Sequence, residues 1–189
     1  ILMFASVSGA HFNPVVSFSD AALGGISWRD AWAYLPVQVL GCSLGALLAN
    51  SMFSLPAISI STHHRATGPH LLAEVVATIG LLLVIFALAR TGRSGVAPAA
   101  VAAYITSAYF FCSSTSFANP AITIGRMLSN SFAGIAPSSV PPFVIAQLVG
   151  AALAVGLVRL LYPGLSHEAA LQLFSPAEAR DPQDEGARR

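Results

Sequence analysis

No Asp, Glu, Lys or Arg occurs between residues 31 and 64, between 94 and 125, or between 127 and 158. Each gap can hold the about 20 apolar residues that carry a helix across a bilayer. Only 9% of the residues are charged and 55% are hydrophobic, against roughly 25% charged in an ordinary soluble domain. Lipid rather than water must therefore cover most of the surface. Spans are predicted at about 31 to 53, 70 to 90, 95 to 113 and 140 to 162, which defines an all-α membrane protein. A formal net charge of +1, with every strong base an Arg, leaves no basic footprint for nucleic acid.

A repeated pattern sits between these apolar stretches. Ser8-Gly9-Ala10-His11-Phe12-Asn13-Pro14-Val15-Val16 is matched by Thr115-Ser116-Phe117-Ala118-Asn119-Pro120-Ala121-Ile122-Thr123. Proline suits the first turn of a helix, where its missing N–H costs nothing, so Pro14 and Pro120 each open a helix with an Asn beside it. About ten apolar residues follow, which at 1.5 Å each reach about 15 Å, half the hydrocarbon thickness. Two such half-helices entering from opposite faces meet tip to tip at the midplane, bringing positive dipole ends and the Asn13 and Asn119 amides together. Such a centre repels cations and holds the oxygen of water or a polyol.

The repeat reaches beyond these elements, because Gln38-Val39-Leu40-Gly41 follows the first as Gln147-Leu148-Val149-Gly150 follows the second. Gly41 with Gly45, and Gly150 with Ala154, have the spacing that lets helix backbones approach closely. The halves are unequal at their starts: Glu74 precedes Asn119 by 45 residues, whereas only 12 residues precede Asn13. By that symmetry roughly 30 to 45 residues, the first span and most of the second, are missing from the repeat. Residues 1 to 162 form the channel-like unit and 163 to 189 a polar tail. Arg29, Arg90, Arg93 and Arg159 fall on one face under alternating crossings, which the positive-inside rule makes cytoplasmic, together with the C-terminus.

These residues resemble the aquaporin and aquaglyceroporin family of major intrinsic proteins, whose two Asn-Pro-Ala boxes are similar to Asn13-Pro14-Val15 and Asn119-Pro120-Ala121. The resemblance covers residues 1 to about 162 and includes Ala73-Glu74 with Thr78. It implies an aquaporin-like inverted repeat in the inner membrane, a homotetramer, no cofactor, and passage of water and small uncharged solutes. It also places a narrow filter near Ser107, Ser116 and Ile122, with a fourth position in the missing segment. The family's Arg after the second box is replaced by Ile122, which implies a wider constriction open to larger neutral solutes. The stretch from Asn119 to Arg126, with Leu128-Ser129 and Phe132 to Ile135, is similar to aquaporins associated with bacterial arsenic resistance. That likeness extends the implied solutes to arsenite or methylated arsenicals.

Three residues keep two readings each. Arg126 lies seven residues after Asn119, on nearly the same helical face; it either reaches back into the pore mouth or, as we favour, ties down loop backbone or the interface. His11 either faces the inner vestibule or holds its loop. Glu74 is a buried-span carboxylate with no acidic partner for a proton relay, and the resemblance implies that it fixes the pore-lining loop. Cys42 and Cys112 lie in apolar runs and read as free thiols. His63 and His64 lack further ligands, so no metal is expected. No nucleophile, base and orienting carboxylate coincide, so no enzyme activity is expected. Two rivals remain: an ion-coupled transporter on the same inverted-repeat plan, and a truncated remnant that does not conduct.

Overall fold

The computed structural model describes residues 1–163; all but the first residue of the polar tail lies outside them. Those residues form seven α-helices and no strand: α1 (Ala5–Ser8), α2 (Pro14–Leu23), α3 (Trp28–Met52), α4 (Gly68–Arg90), α5 (Ala97–Phe111), α6 (Pro120–Gly125) and α7 (Val140–Leu161). Four helical segments among them are long and apolar enough to cross a membrane: α3, α4, Ser94–Phe111 and Pro137–Leu161. The predicted spans match these to within about three residues.

Local chemistry starts these helices where it should. Ser27 accepts from the backbone N–H of Asp30 and donates its hydroxyl to the Asp30 carboxylate, closing the first turn of α3. Thr67 caps α4 ahead of Pro69. The half-helices differ in length: α2 runs ten residues, whereas α6 runs six before a tighter 3-10 turn at Arg126–Leu128. The second half-helix is thus shorter than the predicted ten.

The repeat appears in the packing. Each half-helix lies against the long helix that follows it, α2 on α3 and α6 on α7, and also against the equivalent helix of the other half, α2 on α7 and α6 on α3. α4 packs on α7 and α5, and its Ala77, Leu81, Leu82 and Phe86 share a core with Val15, Ala118 and Ala154. Two glycines allow this closeness. A Cβ at Gly150 would lie 2.8 Å from the Val75 carbonyl oxygen, and one at Gly125 would lie 2.8 Å from that of Cys42. Gly41 and Gly45 differ from expectation, since a Cβ at either meets nothing within 4 Å. They belong to the outward side of α3, where Leu40, Leu44 and Leu48 are each more than 60% exposed. An apolar stripe of this kind is at home in lipid and costly in water.

Candidate functional site

The two Asn-Pro elements meet. Asn13 caps α2 by accepting from Val15 N–H (3.1 Å), and its Nδ2 donates across the molecule to the Ala118 carbonyl (2.8 Å). Asn119 caps α6 by accepting from Ala121 and Ile122 N–H, and its Nδ2 donates back to the Phe12 carbonyl (3.0 Å). Each Asn thus holds its own helix start and the residue just before the other Asn. Both side chains are more than 90% buried. Pro14 and Pro120 occupy the first helical positions.

The loops leading in share a backbone shape. Four and three residues before each Asn, the chain is left-handed: Gly9 and Ala10 (φ 65° and 54°) in one half, Thr115 and Ser116 (63° and 45°) in the other. Ala118 is left-handed as well (46°). For residues other than glycine this conformation costs about 1 kcal/mol or more each.

Glu74 holds the second loop in that shape. Its fully buried carboxylate accepts from Ser114 Oγ (2.7 Å), Phe117 N–H (2.8 Å), Ala118 N–H (2.8 Å) and Gln147 Nε2 (2.7 Å). Gln147 also donates to Thr123 Oγ1 (2.9 Å), whose hydroxyl bonds the Asn119 carbonyl (2.8 Å). In the first half Gln38 plays the matching part, donating to Ser17 Oγ and to the His11 carbonyl, both at 2.9 Å, while Ser17 bonds the Asn13 carbonyl. The equivalent glutamines thus sit on equivalent hydroxyls, four residues past each Asn.

The expected filter residues are brought together only in part. Ser116 is buried beside Asn119, with its hydroxyl unpartnered among the described residues. Ile122 borders a cavity of about 290 Å³ that Arg126 also lines. Ser107 is exposed on α5 and donates to its own helix at Ala103 (2.8 Å). His11 is buried, stacked on Tyr34 with ring centroids 4.9 Å apart, and bonded through Nδ1 to Ser17 (3.1 Å).

Two charged residues were given no role at the site by the sequence reading. Asp20, fully buried in α2, lies 3.7 Å from His11 Nε2. Arg65 reaches from the connection before α4 to the carbonyls of Gly134 (2.7 Å) and Phe132 (2.6 Å), and its guanidinium lies 5.4 Å from the Phe117 ring centre. Burial pushes the Arg65 guanidinium below its ordinary value, while Tyr109 and Glu74 oppose that shift. Signals for both were available. Asp20 stands seven residues after Asn13 as Arg126 stands seven after Asn119, and Arg65 is a lone cation in a connection otherwise free of charge.

Crossed asparagines at the heads of two half-helices, held by buried polar braces inside a bundle of apolar spans, define an inverted-repeat membrane protein. Comparison with known proteins agrees. The sequence matches the Major intrinsic protein family over residues 1–118 and again over 99–181. It is 45% identical over 161 residues to the aquaglyceroporin AqpS of Rhizobium meliloti, covering 85% of this chain and 69% of the relative. It is 28% identical over 178 residues to the glycerol uptake facilitator protein of Streptococcus pneumoniae, covering 82% and 75%. No solved structure matches the chain. The chain belongs to the major intrinsic protein family and is an integral membrane protein.

Proposed function

We propose that the protein is a passive channel, not an enzyme, for water and small uncharged solutes such as glycerol. The reciprocal bonds from Asn13 to Ala118 and from Asn119 to Phe12 carry this reading. Each amide nitrogen has two hydrogens and spends one on the opposite loop, leaving the other for a passing oxygen. A solute oxygen replaces there the hydrogen bonds it leaves in water, while the two amide donors and the positive ends of the half-helices disfavour a cation. Asn13, Asn119, Ile122, Ser116, Ser107 and His11 line the path in this reading, supported by Pro14, Pro120, Glu74 and Arg126. Ile122 in place of a cationic filter residue favours a wide constriction, and arsenite or methylated arsenicals are solutes of the same small, oxygen-bearing class.

The channel sits in the inner membrane as a homotetramer with its C-terminus in the cytoplasm. The bond from Arg159 Nη2 to the Ala22 carbonyl (2.6 Å) supports the orientation, since it joins the end of α7 to the end of α2 on the Arg-rich face. The test is labelled glycerol uptake into proteoliposomes with and without a protonophore. Uptake that exceeds empty vesicles and ignores the protonophore is expected. Uptake abolished when the proton gradient collapses would show a coupled transporter instead.

A further inference from the structure

Asp20 is fully buried, and neither of its carboxyl oxygens has a hydrogen-bond partner among the described residues. A bare carboxylate in such a place is costly, so the site must supply it with a proton or a donor. His11 stands ready, its Nε2 lying 3.7 Å from Asp20 Oδ2, and no other nitrogen of a basic side chain comes within 4.0 Å of that carboxyl among the described residues. The turn after α2 closes over the pair, since a Cβ at Gly25 would collide with the Asp20 carboxyl. The elements packed on α2 bring little other charge. α3 contributes Tyr34, stacked on His11, and carries Arg29 and Asp30 at its exposed start and Cys42 in the cavity beside Arg126. α7 contributes Arg159, held at the Ala22 carbonyl, α6 has no titratable residue, and α4 meets α2 through apolar side chains.

Donors and acceptors place the hydrogens on the other side of His11. Gln38 Nε2 donates to Ser17 Oγ (2.9 Å), and Ser17 must donate to the Asn13 carbonyl (3.2 Å), because a carbonyl only accepts. The Ser17 oxygen then has one lone pair left, so His11 Nδ1 (3.1 Å) donates to it. With its hydrogen on Nδ1, a neutral imidazole turns a lone pair at Nε2 toward Asp20. A proton must lie between them: either the acid donates to Nε2, or the imidazolium donates to the carboxylate. In both cases the pair holds one proton more than a neutral His beside a carboxylate.

We propose that Asp20 is a positioning residue of the inner mouth: it shares one proton with His11, and that proton decides whether Ser17 holds the Asn13 carbonyl. This deepens the channel reading and rests on it. When the proton leaves to water, the imidazole carries its remaining hydrogen on Nε2, where it serves the Asp20 carboxylate. Nδ1 becomes an acceptor, and Ser17 turns its hydrogen from the Asn13 carbonyl to Nδ1. That carbonyl keeps the bond from Ser17 N–H (3.0 Å) and loses the one from the hydroxyl, loosening the residue whose amide reaches Ala118. The second half has no such lever. Phe117 and Arg126 stand at the positions of His11 and Asp20, and Thr123 bonds the Asn119 carbonyl with no histidine beside it. The pore is therefore set while the pair holds its proton, at lower pH, and loosens as the pH rises.

Nitrogen NMR on the full chain in liposomes, isotope-labelled at histidine and with equal pH on both sides, reads the proton without relying on conduction. The His11 signals are those missing from His11→Gln. Nδ1 is expected to be protonated near about pH 6 and bare near about pH 9. Glycerol permeability of the same liposomes should fall about threefold over that range, the order expected for one lost hydrogen bond. Asp20→Asn donates an amide hydrogen to Nε2 at any pH, so Nδ1 should stay protonated and permeability should stay level. Ser17→Ala cuts the link to Asn13, so Nδ1 should still titrate while permeability no longer follows it. A wild-type Nδ1 whose protonation is the same at both pH values overturns the proposal, as does a titration that persists in Asp20→Asn. So does a permeability that follows pH in Ser17→Ala as it does in the wild type. Failure of the channel reading looks different: glycerol permeability would equal that of empty vesicles at every pH while Nδ1 still titrates.

Discussion

Replacing Glu74 by Gln keeps the shape of the side chain and turns one of its two oxygens into a donor. Both oxygens are in use: Oε1 accepts from Ser114 and Phe117, Oε2 from Ala118 and Gln147. With the amide nitrogen toward Ala118 and Gln147, two buried donors lose their acceptor; turned the other way, Phe117 N–H loses its acceptor and the Ser114 hydroxyl must reverse to accept. At about 1.5 kcal/mol for each bond to a charged acceptor, the four are worth about 6 kcal/mol, and the variant keeps about half. The loop they hold carries three non-glycine left-handed residues, Thr115, Ser116 and Ala118, costing about 3 kcal/mol together. Glu74→Gln therefore brings bonds and strain level, and the loop should leave its present shape. Because Asn119 follows directly, its bond to Phe12 should go with it. Thermal unfolding in detergent should shift down by about 6–12 °C for a loss of about 3 kcal/mol in a chain of this size, and glycerol permeability should collapse. Gln147→Leu removes the Nε2 that serves both Glu74 and Thr123, worth about 1.5 and about 1 kcal/mol, and should cost somewhat less than Glu74→Gln. An unchanged melting temperature in Glu74→Gln, with permeability intact, would refute the reasoning.

Other outcomes follow from the same geometry. Ile122→Arg puts a long cationic side chain beside the second Asn and should depress glycerol flux more than water flux in paired swelling assays. Gly150→Leu should destabilise the α4–α7 contact by about 1–3 kcal/mol or prevent folding, because its Cβ would meet Val75 backbone at 2.8 Å. Gly41→Leu should change thermal stability by about 0.5 kcal/mol or less, since its surroundings are open.

Much of this architecture was legible because membrane spans and Asn-Pro helix starts are local signals. Charge-free gaps fix α3, α5 and α7 within a few residues, the apolar run around Glu74 fixes α4, and Pro14 and Pro120 fix where the half-helices begin. What local pattern does not carry is reach. Small-residue spacing is the same at Gly41 and Gly150, yet only Gly150 faces a neighbouring backbone, since which side of a helix is covered depends on the partner. The shortness of α6 follows from a tight turn at Arg126–Leu128 that no proline or glycine after Gly125 announces. Arg65 stands out in sequence as a lone cation, but what it holds does not, because its carbonyl partners lie 67 and 69 residues away. Asp20 was visible in principle, and reading the repeat position by position rather than motif by motif finds it opposite Arg126.

The central claim is that crossing asparagines from two half-helices make a conducting centre, and stopped-flow osmotic assays on proteoliposomes test it most directly. The wild-type chain should pass water and glycerol faster than empty vesicles, and Asn13→Ala with Asn119→Ala should remove that excess or let monovalent cations leak through. Permeability equal to empty vesicles in the wild type, or unchanged permeability and cation exclusion in the double variant, would contradict it.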